Sequence, residues 1–135
     1  MRIAFAGAED LDYLVGEDRH VPSGVLAQKV AQREILVLWH DDQRAGALRY
    51  GHFWDEIPIM NMLWVQKGLR GRGFGTRLIS FWENEMRDMG HDMVMTSTLS
   101  SERTQHLYRK LGYKECGALL MPGEALEILF LKSLH

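Results

Sequence analysis

The segment from Gln66 to Arg77 reads QKGLRGRGFGTR and combines a charge pattern with a glycine pattern. It holds 4 basic residues and no acidic one, whereas the rest of the chain holds 12 basic and 18 acidic residues. Its last three glycines, Gly71, Gly73 and Gly75, occupy alternate positions. Because glycine lacks a Cβ, such a run can turn successive backbone N–H groups inward and form an anion-binding nest. The segment therefore predicts either a solvated basic loop or a site for a negatively charged group.

The spacing of apolar residues differs between the two sides of this segment. Residues 59–65 form an apolar run typical of a strand. After Phe74 the apolar residues return with a helical period, up to a glycine that can end the helix. These residues are Leu78, Ile79, Trp82, Met86, Met89 and Gly90. The loop therefore joins a strand to the start of a helix, where free N–H groups and the helix dipole favour a phosphate.

Strand and helix patterns alternate along the rest of the chain. Ser23 and either Ser100 or Ser101 are predicted to cap helices. The pattern indicates a mixed α/β fold. In chain order, the predicted elements are a strand at 2–6, helices at 8–18 and 23–32, strands at 35–39, 45–53 and 59–65, the helix after the loop, a strand at 92–98, a helix from Ser100 or Ser101 to Leu111, and strands at 113–120 and 125–131.

Length and composition exclude several classes of protein. The chain has 135 residues, 46% of them hydrophobic and 25% charged, so we expect one globular domain over residues 1–135. A net charge of -2 argues against a nucleic-acid partner. No apolar stretch approaches the roughly 20 residues that cross a bilayer, so no membrane association is expected. The lone Cys116 and the strand-like start of the chain predict a cytoplasmic protein, and the sequence leaves a homodimer open.

Three phosphate-binding motifs compete for the glycine-rich loop. A P-loop requires Gly-Lys followed by Ser or Thr, but this loop ends in Gly75-Thr76-Arg77 and lacks the lysine. A Rossmann turn requires the spacing G-x-G-x-x-G and an acidic residue further on, where this chain has Met95. Both motifs fit poorly. The third candidate is a loop for the pyrophosphate of coenzyme A.

Two blocks resemble the GNAT superfamily of N-acetyltransferases. Residues 70–75, RGRGFG, match that family's pyrophosphate motif Q/R-x-x-G-x-G/A. Residues 101–113, SERTQHLYRKLGY, are similar to its second block, N-x-x-A-x-x-L/F-Y-x-K-x-G-F/Y. Ser101 stands where the family often has asparagine, and Thr104 where it often has alanine. The resemblance implies a GNAT fold, with a mixed, mostly antiparallel central sheet of six to seven strands flanked by about four helices.

The resemblance also implies how acetyl-CoA, the co-substrate, is bound. Leu63, Trp64 and Val65 are expected to pair through their backbone with the pantetheine arm and to polarise the thioester carbonyl. Ser101 is expected to contact the coenzyme from the second block. The pyrophosphate is expected to lie on the backbone amides of Arg70, Gly71, Arg72, Gly73, Phe74, Gly75 and Thr76, with the Thr76 hydroxyl as an extra donor and Arg70 or Arg72 adding charge.

Proton transfers need an acid and a base. By resemblance, Tyr108 donates a proton to the departing thiolate; the alternative is that Tyr108 only packs in the core. An amine with a lysine-like pKa near 10.4 loses its proton at neutral pH at a cost of about 4.6 kcal/mol, so a base must assist. Glu56 is the preferred candidate, with Asp55, His52 or an ordered water held by Asn61 as alternatives.

Other chemistries find less support in the sequence. Cys116 could carry an acetyl group, but a lone cysteine among aliphatic and glycine residues is expected to pack. The six histidines show no metal-ligand spacing, so no metal is expected. Trp39, Trp54 and Trp64 are predicted as core residues or as the lining of an acceptor pocket. The methionines Met86, Met89, Met93 and Met95 are predicted to fill the core.

The resulting hypothesis is an acetyl-CoA-dependent N-acetyltransferase that transfers an acetyl group directly to a primary amine. Residues 1–58 hold 10 acidic and 6 basic side chains, which favours a cationic acceptor. A coenzyme A-binding sensor or interaction module without turnover is the alternative.

Overall fold

A computed structural model describes residues 1–135 and contains a seven-stranded sheet with four α-helices. The strands lie in the order β1-β2-β3-β4-β5-β7-β6, and the sheet is mostly antiparallel, with β4 and β5 parallel. This confirms the predicted fold class. The elements are β1 (Arg2–Phe5), α1 (Leu11–Glu17), α2 (Ser23–Ala31), β2 (Ile35–His40), β3 (Gln43–Phe53), β4 (Ile57–Val65), α3 (Phe74–Asp88), β5 (Met93–Leu99), α4 (Thr104–Lys110), β6 (Lys114–Leu119) and β7 (Glu127–Ser133).

The helix starts differ from the prediction. Ser23 is the first residue of α2 and not its cap, and no side chain caps that helix. Helix α4 begins at Thr104, because the preceding residues are held in a turn. In that turn the Ser100 N–H donates to the Leu126 carbonyl at 2.7 Å. Sequence patterning also missed two short 3₁₀ segments, Ala8–Asp10 and Lys67–Leu69.

The chain divides into two compact units. The first comprises residues 1–50 and 62–84, and the second comprises residues 51–61 and 85–135. The single domain expected for residues 1–135 stays a prediction. None of the helices is both long enough and apolar enough to cross a membrane.

The first unit has a core between α1, α2 and the strands β2 and β3. A buried ion pair supports it, with Arg49 Nε donating to Asp18 Oδ2 at 2.7 Å. Val15 of α1 lies outside this core and is 39% exposed. The residues of this core are Ala6, Leu14, Leu26, Ile35, Val37 and Ala47.

The second unit is built on β5, β7 and β6, which pair antiparallel, with α4 packed against them. Tyr108 lies next to the rings of Tyr113 and Phe130, with centroids 5.8 and 5.9 Å away. Strand β6 forms one edge of the sheet and is exposed along its whole length. The buried side chains of this unit include Tyr108, Tyr113 and Phe130, and none lies on β6.

Helix α3 begins in the first unit and ends in the second. Its predicted buried stripe is confirmed at Leu78, Ile79, Trp82 and Met86, each at most 1% exposed. The stripe ends there, because Met89 is 51% exposed beside Gly90, which terminates the helix at φ +92°. Of the other methionines, Met95 is buried as predicted, whereas Met93 is 37% exposed.

Candidate active site

The glycine-rich loop places two glycines in conformations that other residues rarely adopt. Gly71 has φ +75° and Gly73 has φ +84°, both in the left-handed region that favours glycine. A Cβ added at either position would meet no atom within 4 Å, so the backbone there faces open space. Helix α3 starts at Phe74, directly after Gly73. The loop thus presents uncovered backbone at the positive end of a helix dipole.

The third glycine of the alternating series, Gly75, differs from the other two in backbone conformation and in its neighbours. Gly75 has no positive φ and lies in the first turn of α3. A Cβ on it would lie 3.8 Å from Leu63 Cδ2 and 3.9 Å from Val65 Cγ2, which is ordinary van der Waals contact. This glycine lies where the helix start meets the last residues of β4, and its backbone conformation does not require glycine.

The three arginines of the loop have two kinds of contact: Arg70 bonds the backbone of β4, whereas Arg72 and Arg77 lie near the Phe74 ring. Arg70 Nε donates to the Val65 carbonyl at 2.8 Å and ties the loop to the end of β4. The guanidinium carbons of Arg72 and Arg77 lie 5.6 and 5.8 Å from the centre of the Phe74 ring. Phe74 is only 7% exposed, so it anchors the start of α3 beneath these charges. The loop carries basic side chains with no carboxylate among its own residues.

The end of β4 lies beside β3 at close range. The Gln66 N–H donates to the Ala45 carbonyl at 2.8 Å. A Cβ on Gly46 would come within 2.6 Å of the Trp64 carbonyl oxygen, so a larger residue would force the strands apart. Leu63 and Trp64 are half-buried and Val65 is buried, and all three belong to the same compact unit as the loop.

Of the tryptophans, Trp64 makes an edge contact with Tyr13 of α1, with ring centroids 6.1 Å apart. The guanidinium carbons of Arg2 and Arg44 lie 4.7 and 4.5 Å from the centre of the Trp39 ring. Trp54 is 78% exposed, so the prediction that it lies in the core is wrong.

Tyr108 lies in the second unit, and its hydroxyl meets β5. The side chain is 5% exposed and hydrogen-bonds Thr96. The Thr96 hydroxyl in turn donates to the Met60 carbonyl at 3.0 Å. Burial raises the pKa of Tyr108, the bond to Thr96 acts in the opposite direction, and the charges of Glu102 and Glu127 raise the pKa further. Tyr108 therefore keeps its proton at neutral pH and is available as a proton donor.

Ser101 is exposed in the turn that precedes α4, within the same unit as Tyr108. Its contact with a coenzyme stays a prediction.

The role of Glu56 as the general base stays a prediction. Glu56 is exposed before β4 and lines a cavity of about 280 Å³ with His91 and Asp92. It precedes Met60 by four residues, a span of about 13 Å in an extended strand. The alternatives Asp55, His52 and Asn61 are also exposed.

Sequence reasoning missed Glu127, the first residue of β7. Its Oε2 atom is buried and has no hydrogen-bond partner. Burial and the charges of Glu102 and Glu124 raise the pKa of this carboxyl group. The signal in the sequence is a single acidic residue inside the apolar run 125–131.

Cys116 is exposed, so the expectation that it packs is wrong. It lies on the edge strand β6, where no further strand covers it. Although the residue is exposed, partial burial of its thiol group raises the thiol pKa. The higher pKa disfavours the thiolate form that a nucleophile requires.

Comparison with known proteins agrees with this architecture. A family model described as "Acetyltransferase (GNAT) domain" matches residues 31–115. An acetyltransferase of the GNAT family from Bacillus cereus has a TM-score of 0.78 and 22% identity, with 98% of this chain and 96% of that chain covered. The ribosomal-protein-S18-alanine N-acetyltransferase of Escherichia coli has a TM-score of 0.80 and 16% identity, with 98% and 93% covered.

A larger protein contains a similar domain. N-acetylglutamate synthase from Neisseria gonorrhoeae, in complex with coenzyme A and N-acetyl-glutamate, has a TM-score of 0.84 and 17% identity. The alignment covers 99% of this chain but 35% of that one. No curated protein matches the chain by sequence. Because the family model covers more than half of the sequence, the chain belongs to the GNAT acetyltransferase domain family.

Proposed function

We propose that this protein is an acetyl-CoA-dependent N-acetyltransferase that transfers an acetyl group directly to a primary amine. The observation that carries the proposal is the pair of positive-φ glycines, Gly71 and Gly73, placed in a basic segment directly before α3. Backbone N–H groups at such a helix start bind phosphate groups. Family membership and the complex of the gonococcal relative with coenzyme A support acetyl-CoA as the ligand.

The coenzyme would engage the chain through main-chain groups. Its pyrophosphate would accept hydrogen bonds from the amides of residues 70–76, with the Thr76 hydroxyl as a further donor and Arg72 supplying positive charge. Arg70 acts indirectly in this scheme, because its Nε already holds the Val65 carbonyl. The pantetheine arm would pair with the backbone of residues 63–65, and an N–H there would polarise the thioester carbonyl. Ser101 would contact the coenzyme from the second block.

The reaction requires one proton donor at the sulfur atom. Attack by the amine breaks the carbon–sulfur bond and leaves a thiolate, whose conjugate acid has an ordinary pKa near 8.5. Tyr108 would supply the proton, because its raised pKa keeps the hydroxyl protonated until the thiolate forms. Its ring contacts with Tyr113 and Phe130 fix its position, so packing and acid function are compatible.

The acceptor would be a cationic amine. The acidic excess of residues 1–58 favours an ammonium group, as an amine presents itself at neutral pH. The structural neighbours include an enzyme named for ribosomal-protein alanine and one that contains N-acetyl-glutamate, so the fold accommodates acceptors of different kinds. A polyamine, a lysine side chain and a peptide N-terminus are the acceptor classes to compare.

Release of free thiol from acetyl-CoA tests the proposal. The protein is incubated with acetyl-CoA and one amine at a time, and thiol formation is followed against a control without amine. We expect release above the hydrolysis background with at least one amine, and an acetylated product by mass spectrometry. If calorimetry shows that acetyl-CoA binds but no amine causes thiol release from it, the coenzyme A-binding module is favoured instead.

A further inference from the structure

The two faces of β4 are covered by different helices at the segment that we assign to the pantetheine arm. Leu63 and Val65 point towards α3, because a Cβ on Gly75 of that helix would lie 3.8 and 3.9 Å from their side chains. Side chains alternate along a strand, so Trp64 leaves the sheet on the opposite face. There its ring contacts Tyr13 of α1, with ring centroids 6.1 Å apart. The coenzyme loop leads into α3, so the face of β4 beside α1 is left for the acceptor amine.

Tyr13 carries a hydroxyl group without a partner at this place. The side chain is half-buried and packs, together with Met62 of β4, against the core of the first unit. Its hydroxyl oxygen is shielded from solvent and has no hydrogen-bond partner. A buried polar atom of this kind costs folding free energy and is rare in native proteins. A ligand oxygen that accepts this hydrogen bond would satisfy the group that folding leaves without a partner.

The hydroxyl is a donor, and a carboxylate lies one helical turn away. Burial and the charge of Glu17 raise the pKa of Tyr13, and the charge of Arg44 acts in the opposite direction. Tyr13 therefore keeps its proton at neutral pH. Glu17 is exposed and follows Tyr13 by four residues in α1, so the two side chains are neighbours on one face of the helix. This face offers a hydrogen-bond donor for an oxygen atom beside a negative charge for an ammonium group.

We propose that Tyr13 selects the acceptor, and that the acceptor is a primary amine with a carbonyl group on the neighbouring carbon, as at the N-terminus of a peptide. The inference rests on the proposed N-acetyltransferase function and names the substrate class of its acceptor site. The Tyr13 hydroxyl donates to the carbonyl oxygen, and Glu17 attracts the ammonium group. The ligand reaches the hydroxyl by turning aside the half-buried Trp64 ring that lies against Tyr13.

The other acceptor classes lack one of the groups that this face would bind. A polyamine has ammonium groups but no oxygen to accept the hydrogen bond. A lysine side chain has its amine at the end of a four-carbon stem, away from the carbonyl groups of the backbone. Both would leave the Tyr13 hydroxyl unpaired, and a site built to make a hydrogen bond rejects ligands that cannot make it. The α-amino group of a peptide, with an ordinary pKa of about 8, also loses a proton more readily than a lysine amine, at about 10.4.

Steady-state kinetics with three acceptors test the proposal: a lysine-free peptide with a free N-terminus, the same peptide with an acetylated N-terminus and one lysine, and spermidine. We expect the first peptide to have the highest kcat/KM, by about tenfold or more. In Tyr13→Phe the KM of this peptide should rise about tenfold, the usual effect of one hydrogen bond, with kcat within about twofold. Whatever activity spermidine has should stay within about twofold, and calorimetry should show unchanged binding of acetyl-CoA.

Tyr50→Phe is the matched control, since it removes the hydroxyl of a buried tyrosine that has a partner, the Arg33 carbonyl at 3.4 Å. Urea unfolding should show Tyr50→Phe less stable than wild type and Tyr13→Phe at least as stable, because Tyr13 has no hydrogen bond to lose. The peptide KM of Tyr50→Phe should stay within about twofold of wild type. A purely structural role of Tyr13 would lower the stability of Tyr13→Phe and leave its KM unchanged, which would overturn the inference.

Two further results would also overturn it: a wild type that prefers spermidine or the lysine peptide, and a Tyr13→Phe variant that loses activity equally with the first peptide and with spermidine. A wild type that binds acetyl-CoA but acetylates no amine overturns the proposed function together with this inference. An active wild type whose peptide KM is unchanged in Tyr13→Phe overturns the inference alone.

Discussion

The glycine-rich loop and the surroundings of Tyr108 differ in the groups that they offer to a ligand: backbone groups in the loop, and side chains around Tyr108. The loop offers backbone groups, and its key residues, Gly71 and Gly73, matter because they lack a side chain. The Tyr108 region depends on side chains, and its groups act through a hydrogen bond to Thr96 and through the charges of Glu102 and Glu127. Substitutions should therefore affect coenzyme binding in the first region and catalytic rate in the second.

The largest effect is expected for Gly73→Glu. The new side chain would occupy the open space over the loop and place a negative charge where we propose that the pyrophosphate binds. Like charges brought together in an interface cost several kcal/mol, so affinity for acetyl-CoA should fall about 1,000-fold. Titration calorimetry measures it. Gly68→Glu introduces the same charge in the preceding 3₁₀ segment, where φ is not positive, and should cost less than about tenfold. Equal losses of affinity in both variants would show that net charge decides binding, and not the backbone conformation of the loop at Gly71 and Gly73.

A smaller and different effect is expected for Tyr108→Phe. The ring contacts with Tyr113 and Phe130 survive, but the proposed proton donor is lost. Removal of a general acid should lower kcat about 100-fold and leave the affinity for acetyl-CoA within about twofold. Because burial raises the pKa of Tyr108, the loss of wild-type activity on the alkaline side should begin at a higher pH than an exposed tyrosine would give. Stopped-flow thiol detection and calorimetry separate the two quantities. A variant with full kcat would restrict Tyr108 to packing.

The sequence revealed the loop better than it revealed the second region, and the reason is physical. A site built from backbone groups depends on the spacing of residues that are adjacent in sequence. Gly71 and Gly73 could therefore be recognised from the sequence, together with the helix that follows. The fold class and the strand order along the chain also follow from local periodicity. Glu127 lies beside Leu99 of β5, a residue distant in sequence, and local spacing does not record such a neighbour. Periodicity cannot show that one carboxylate oxygen is buried without a donor.

Exposed segments misled the sequence analysis for a related reason. Met89 continues the helical stripe of α3, but the helix ends beside it, so the residue faces solvent. Cys116 has core-like neighbours in sequence, yet β6 is an edge strand. Each error comes from tertiary position, which local pattern does not contain.

The smallest effect distinguishes the glycines of the loop from one another. Alanine at position 73 must adopt φ +84°, which costs an L-residue about 1–2 kcal/mol, although its Cβ meets no atom. Alanine at position 75 lies within a helix, where it is favoured over glycine by about 0.5–1 kcal/mol, and its Cβ makes ordinary contacts at 3.8 and 3.9 Å. Urea unfolding should therefore show Gly73→Ala destabilised and Gly75→Ala unchanged or stabilised. If both variants lose the same stability, the alternating glycines share one structural requirement, and backbone conformation does not distinguish Gly73 from Gly75.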